Sequence, residues 1–167
     1  MTTTDHHLST GAVSEIRLPG DARALSTFSR LDYADAFLIA SDVRRTPQEW
    51  SRAVLQDAPL AVQTRLVSGW TALGLKLGPP GSSGRVLGWA VRRSAPDYLV
   101  LAADGRLGLN GELLFRSEPR GLLFATFVQH NNPCARRAWA AITPTHRRVV
   151  RSLLTHAARR TEVSLAH

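Results

Sequence analysis

The sequence predicts an α+β fold in which a long C-terminal helix lies across an antiparallel β-sheet. Residues 86–130 consist of strand-like runs separated by short turns, and residues 132–160 repeat apolar side chains with a helical period. Two shorter helical segments lie between the first long strand and these runs. A helix with one apolar face needs a sheet or another helix to cover it, so the long helix is expected to pack on the sheet.

The N-terminal third is expected to contribute an edge strand, a long strand and two short helices. Residues 13–18 alternate in polarity, and residues 31–41 read as the first long strand. Residues 46–49, Thr-Pro-Gln-Glu, form a capping box with proline at the first helical position. Apolar residues repeat at helical spacing over 62–73, and Gly74 is expected to end that second helix.

Four strands joined by short turns are expected to form an antiparallel meander. Their ranges are 86–93, 98–103, 107–116 and 122–130. Asp104-Gly105 is a strong hairpin signal, and the Gly/Pro/Ser-rich stretch 78–84 is interpreted as a connector or a lid. Residues 122–128 are apolar on both faces. Either the N-terminal segment covers their outer face, or this face pairs with a second copy in a homodimer.

The last helix is predicted to begin at Asn132, which can cap it, and Pro133, which suits the first position. At roughly 100° per residue, one side of this helix is apolar. The residues on that side are Trp139, Ile142, Val149, Val150, Leu153, Leu154 and Ala157. His146 falls near the middle of the apolar side. Thr143-Pro144 is expected to interrupt the helix and to start a second one.

The composition is that of an ordinary globular chain with a basic charge. Of 167 residues 44% are hydrophobic, and the formal net charge is +8. Lys76 is the only lysine, the arginines are scattered, and the aromatic residues sit inside apolar runs, so no nucleic-acid partner is expected. Cys134 is the only cysteine, and no zinc-site spacing or dinucleotide fingerprint is present. We therefore expect no metal and no cofactor.

A single domain over residues 13–162 is expected, with flexible tails at 1–12 and 163–167. His6 and His7 are attributed to tail composition rather than to metal binding. The sequence shows no signal peptide and no apolar run long enough to span a membrane, which together with the single cysteine favours the cytoplasm.

Several short motifs resemble a known superfamily. They are Asp32-Tyr33-Ala34-Asp35-Ala36-Phe37, Trp50, Leu73-Gly74-Leu75, and Trp139 together with Pro144, His146 and Arg147. The chain is similar over roughly residues 15–160 to the START/Bet v 1-like superfamily, also called SRPBCC or polyketide-cyclase-like. Within it, the chain resembles a branch of small bacterial proteins known as a domain of unknown function.

The resemblance implies a helix-grip fold, in which a curved antiparallel sheet wraps around a long C-terminal helix. It also implies a hydrophobic cavity between the two that holds lipids, polyketides or other small apolar molecules. Some members of the superfamily are cyclases, dehydratases or aromatases. Members usually have six strands between the second helix and the last, whereas this sequence has room for about four, which implies a smaller pocket.

His146 is the sharpest candidate for chemistry, as a general acid or base or as a hydrogen-bond partner of a ligand carbonyl. The alternative is a core histidine satisfied by a neighbouring group. For catalysis, Tyr98 or Arg92 would polarise the substrate. The residues expected to line a cavity are Trp70, Trp89, Arg92, Tyr98, Phe115, His130, Trp139 and His146. The aromatic ones are equally explained as core, and His130 as part of the turn that starts the last helix.

Three further groups of residues are candidates for chemistry. Asp32 and Asp35 differ in pleat parity and are expected on opposite faces, which argues against a paired-carboxylate hydrolase. The parity of Glu112 suggests the solvent face. Cys134 near the start of the last helix, with His130 close in sequence, is either an activated thiolate or an ordinary thiol.

The sequence is therefore compatible with three functions. The first is binding of a small hydrophobic or aromatic molecule in an internal pocket. The second is an enzyme of secondary metabolism, such as a cyclase, dehydratase or isomerase, with His146 as the acid or base. The third is an interaction module that pairs through the strand at 122–128.

Overall fold

The computed structural model describes residues 9–79 and 81–164 of the chain. The tail histidines His6 and His7, Pro80 of the connector and residues 165–167 lie outside these ranges. Of the stretch expected to be a flexible tail, residues 11 and 12 pair with the first long strand. The Gly11 N–H donates to the Ala40 carbonyl over 2.7 Å, and the Ala40 N–H donates to the Ala12 carbonyl over 3.0 Å.

The described chain forms an α+β structure built on a seven-stranded antiparallel sheet. The strands are β1 (Val13–Ile16), β2 (Tyr33–Ala40), β3 (Arg85–Val86), β4 (Trp89–Ser94), β5 (Tyr98–Ala103), β6 (Leu109–Glu118) and β7 (Gly121–His130). Their order across the sheet is β1-β2-β7-β6-β5-β4-β3. Five of these strands lie between the third and fourth helices, one more than the four expected. The additional strand, β3, has only two residues, too few for a recognisable alternation.

Four α-helices accompany the sheet. They are α1 (Gly20–Arg23), α2 (Pro47–Ser51), α3 (Leu60–Ala72) and α4 (Pro133–Val163). α2 continues into a π-helical turn, Arg52–Gln56. The predicted capping box is confirmed, because the Glu49 N–H donates to the Thr46 hydroxyl over 3.1 Å and the Thr46 N–H donates to the Glu49 carboxylate over 2.7 Å. The two short helices after the first long strand are thus as expected, whereas α1 is additional.

α4 begins as predicted, with the Asn132 side chain accepting the Ala135 N–H over 2.8 Å. The predicted interruption at Thr143-Pro144 is wrong, because α4 runs through Pro144 without a break. Proline removes one N–H from the helix, but buried residues on both sides, among them Trp139 and Leu154, hold the two halves against the rest of the core.

The main core lies between one face of the sheet, called here the inner face, and helix α4. On β2 the inner face carries Tyr33, Asp35, Phe37 and Ile39, which pair across to Val128, Thr126, Phe124 and Leu122 of β7. The fully buried residues Phe37 and Ile39 share a cluster with Val150 and Leu154 of α4. This packing places the middle of α4 over the polar residues of β2.

The opposite, outer face is covered by residues 18–31, which include α1. Leu18, Ala22, Leu25, Phe28 and Leu31 of this covering segment pack on Ala36, Leu114, Leu123, Ala125 and Phe127. Of the two alternatives for the apolar outer face, the structure therefore shows the N-terminal cover. Within the described ranges, no helix has the length and apolar character needed to cross a membrane.

Candidate functional site

A cavity of about 620 Å³ lies between α3, α4 and the inner face of the sheet. Its walls are formed by Arg65, Leu66, Gly69, Trp70, Ala72, Leu73, Leu75, Trp89, Leu109, Asn110, Gly111, Leu113, Thr126, Val128, Ala138, Trp139, Ile142, Thr145, His146 and Val149. Pockets for small organic ligands span roughly 300–1,000 Å³. This cavity therefore has the size and the predominantly apolar wall of such a pocket.

Aromatic rings shape the two ends of the wall. The rings of Trp70 and Trp89 meet edge to face with their centroids 5.3 Å apart. The Trp139 ring lies 4.9 Å from the His146 ring and 5.3 Å from that of Tyr33. Such ring packing, edge to face for Trp70–Trp89 and Tyr33–Trp139 and tilted for Trp139–His146, fixes ring orientation and presents flat apolar surface to a ligand.

His146 is held by a buried carboxylate behind the wall. Its Nε2 lies 3.0 Å from Oδ2 of Asp35, whose side chain is 2% exposed, whereas that of His146 is 15% exposed. The same oxygen of Asp35 accepts the Tyr33 hydroxyl over 2.7 Å, and Oδ1 accepts the Thr126 backbone N–H over 3.2 Å. β2 thus contributes Tyr33 and Asp35, β7 contributes the Thr126 N–H, and α4 contributes His146.

This arrangement leaves one histidine nitrogen available. With Asp35 ionised, Nε2 of His146 carries a proton that it donates to the carboxylate, so the neutral ring has its lone pair on Nδ1. Within the described chain Nδ1 of His146 makes no hydrogen bond, and it is not among the buried atoms that lack a partner. His146 can therefore accept a proton or a hydrogen bond from a molecule in the cavity.

Tyr33 supports Asp35 rather than competing with it. Burial of the phenol, together with the neighbouring Asp35 charge, raises the pKa of Tyr33 above its ordinary range. Its hydroxyl therefore stays protonated and keeps donating to the carboxylate.

The structure brings four of the predicted cavity residues to the wall: Trp70, Trp89, Trp139 and His146. It places Arg92 and Tyr98 elsewhere, which corrects the expectation that they line the cavity. Tyr98 packs with the covering segment on the outer face. Arg92 makes ion pairs with Asp104 over 3.1 Å and with Glu112 over 3.5 Å, on the same outer side.

Phe115 and His130 are also absent from the wall. Phe115 faces the inner side but is fully buried and packs edge-on against Phe124 at 5.2 Å. His130 ends β7, where its backbone N–H donates to Asp32 over 2.8 Å. Burial lowers the pKa of His130, while the Arg30 guanidinium and the His130 N–H lower the pKa of Asp32.

Glu112 and Cys134 also lie outside the cavity wall. Glu112 has the parity of the outer face, but the prediction of solvent exposure is wrong, because the covering segment buries it completely. Cys134 is exposed and is not part of the cavity wall.

Sequence reasoning missed the role of Asp35 behind His146. One signal was present: Asp35 shares pleat parity with Phe37 and Ile39, so a carboxylate stands in an apolar face. A buried carboxylate needs a partner, and His146 was the polar residue in the facing apolar side of α4. Thr126, Arg65 and Asn110 gave no comparable signal.

The chain matches no protein-family model, no curated protein and no solved structure.

Proposed function

We propose that this chain binds a small, predominantly apolar molecule in the cavity between α3, α4 and the sheet. The observation that carries the proposal is a void of about 620 Å³ with an aromatic and aliphatic wall. A long helix packed on an antiparallel sheet is also consistent with the helix-grip fold that the family resemblance implies. The single cysteine is consistent with a reducing cytoplasm as the place of action.

The wall also restricts which molecules fit. Arg65 and His146 are its ionisable side chains among the described residues, and no carboxylate faces the void. A ligand that carries an ammonium group would lose its hydration there without gaining a counter-charge. A predominantly apolar molecule without a positive charge satisfies the wall best.

Gly69 on α3 offers a direct test of the cavity. A Cβ added there meets nothing within 4 Å, so a side chain at this position can extend without moving the backbone. We expect native mass spectrometry to detect a co-purified molecule, or calorimetry to show naphthalene binding. Gly69→Leu should weaken naphthalene binding at least about fivefold because the new side chain narrows the void.

Gly20→Leu is the matched control, because Gly20 is equally open and lies on the covering segment at the outer face. It should bind naphthalene like the wild type. Absence of both a retained molecule and naphthalene binding would contradict the proposal, as would equal binding by Gly69→Leu and the wild type.

A second candidate function is proton transfer on the same bound molecule. The Asp35–His146 hydrogen bond favours it, since a histidine oriented by a carboxylate is a common general base. His146 Nδ1 would take a proton from a carbon next to a ligand carbonyl, and the enolate would take one back from the imidazolium. Cyclisations, dehydrations and isomerisations use such a step.

Deuterium exchange measures this step without knowledge of the natural substrate. 2-Acetylnaphthalene incubated with the protein in D₂O should incorporate deuterium at its methyl group, as followed by NMR. His146→Gln should slow the exchange roughly 10²-fold or more. A wild-type rate equal to that of buffer would exclude this function while leaving the binding proposal untouched.

A further inference from the structure

We infer that the bound molecule carries a hydroxyl group, phenolic or enolic, that donates a hydrogen bond to Nδ1 of His146, and that Asp35 sets this preference as a positioning residue. The inference rests on the proposed binding function and adds the chemical class of the ligand. The hydrogen-bond donors and acceptors around Asp35 and His146 support it.

The carboxylate of Asp35 only accepts hydrogen bonds when it is ionised. Two groups on the strands donate to it. The Tyr33 hydroxyl of β2 donates to Oδ2 over 2.7 Å, and the Thr126 backbone N–H of β7 donates to Oδ1 over 3.2 Å. A ring nitrogen of His146 that lies 3.0 Å from Oδ2 must therefore be a donor as well. Asp35 thus selects the tautomer with the proton on Nε2.

The opposite nitrogen, Nδ1, is then an acceptor in an apolar surrounding. A ligand ether or carbonyl placed against it would set two lone pairs face to face, whereas a hydroxyl would form a hydrogen bond. The aromatic wall near His146, formed by Trp139, suits a flat ring attached to that hydroxyl. A phenol-like molecule meets both conditions.

Replacement of Asp35 by asparagine should reverse the preference. The Thr126 N–H fixes the amide orientation, because it needs an acceptor and would clash with an NH₂ group. The amide oxygen of Asp35→Asn therefore faces Thr126, and its NH₂ faces both His146 and the Tyr33 hydroxyl, which turns from donor to acceptor. Nε2 then becomes the acceptor, the proton moves to Nδ1, and the cavity presents a donor instead.

Calorimetric titration with three related probes tests this inference at about pH 8, where histidine side chains are ordinarily neutral. The probes are naphthalene, 2-naphthol and 2-methoxynaphthalene. The wild type should bind 2-naphthol about fivefold more tightly than 2-methoxynaphthalene, the value of one neutral hydrogen bond. Asp35→Asn should bind the methoxy probe at least as tightly as the hydroxyl probe.

Asp32→Asn is the matched control, since Asp32 contacts Arg30 and the His130 backbone but not His146. It should keep the wild-type preference. If Asp35→Asn does not fold, His146→Phe supplies the second variant, and 2-naphthol and 2-methoxynaphthalene should bind to it with equal affinity.

The outcomes separate the inference from the function on which it rests. Binding of all three probes with equal affinity to the wild type would overturn the inference and leave the binding function standing. An unchanged hydroxyl preference in Asp35→Asn would overturn the role of Asp35. Binding of none of the probes would count against the proposed function itself.

Discussion

The two faces of the sheet each bury one carboxylate, and the comparison shows how differently such groups can be used. Asp35 on the inner face and Glu112 on the outer face are both nearly or fully inaccessible. The carboxylate of Asp35 is hydrogen-bonded to His146, which borders a cavity. The carboxylate of Glu112 is hydrogen-bonded to the covering segment and to Arg92.

The Glu112 carboxylate accepts hydrogen bonds from Ser26 and Thr27 of the covering segment and pairs with Arg92 of β4. The Ser26 hydroxyl donates over 2.6 Å, the Thr27 N–H over 3.1 Å, and the Thr27 hydroxyl also donates to the carboxylate. Arg92 supplies the opposite charge at 3.5 Å. Each partner belongs to the packing of residues 18–31 on the sheet. Burial of a carboxylate alone is thus no sign of a site. The two cases differ because His146, the partner of Asp35, borders the cavity, whereas the partners of Glu112 do not.

The largest expected effect on stability comes from disrupting the hydrogen bonds and the ion pair of Glu112 on the outer face. Glu112→Gln removes the charge and sets an NH₂ group against donors, so we expect a loss of about 3 kcal/mol in the free energy of unfolding. Urea denaturation followed by tryptophan fluorescence measures it. Probe binding by the folded protein should not change, and a loss of less than about 1 kcal/mol would show that these interactions are not important for stability.

Asp35→Asn should have a smaller effect on stability. The amide still accepts from Thr126 and donates to His146, so most hydrogen bonds survive, and we expect a loss of about 1 kcal/mol. The same urea titration serves for the measurement. A loss as large as that of Glu112→Gln would mean that the inner carboxylate is as strongly built into the fold as the outer one.

The cavity on the inner face and the packed outer face should also differ in the space available for a larger side chain. Gly69→Ala adds a methyl group in open space and removes a glycine from the interior of α3, so it should stabilise the protein by about 0.5–1 kcal/mol. Ala22→Val is the contrast on the outer face, because Ala22 is fully buried under the covering segment and extra volume should destabilise. Thermal unfolding of both variants checks the signs, and destabilisation by Gly69→Ala would contradict an open wall.

The smallest effect concerns His130, which the sequence placed among the ligand-binding residues. Because burial lowers the pKa of His130, the unfolded chain binds its proton at higher pH than the folded chain does. Stability from this group is therefore complete above the ordinary histidine pKa of about 6.5 and declines as the pH falls below it.

His130→Phe should remove this contribution, so that its unfolding free energy declines less between about pH 8 and pH 5 than that of the wild type. Parallel urea titrations at several pH values measure the difference. Identical pH profiles for the two proteins would show that His130 does not contribute, and probe binding should be unaffected in either case.

Local chemistry explains why much of the fold could be predicted. The Asn132 cap, the capping box at Thr46 and the 3.6-residue period of α4 depend on residues a few positions apart. β3 and α1 were missed because elements of two and four residues are too short to show a period.

The site was predicted in part for the same reason. His146 and Trp139 lie on the apolar side of one helix, which the sequence shows directly. The partnership of His146 with Asp35 joins residues 111 positions apart, and only the packing of α4 on β2 reveals it. Arg92 was misplaced although alternation along β4 predicts its position: Trp89 belongs to the inner-face core, so Arg92, three positions later, points to the outer face.

Helix α3 supplies much of the cavity wall, yet Leu66 is its buried residue. Substitutions at weakly buried positions of a helix usually change stability by less than about 0.5 kcal/mol. Over evolutionary time, the shape of the cavity can therefore vary through the exposed positions Arg65 and Gly69 while Asp35 and His146 stay in place on β2 and α4. Related chains would then be expected to share the proton-holding pair and to differ in the molecules that they accept.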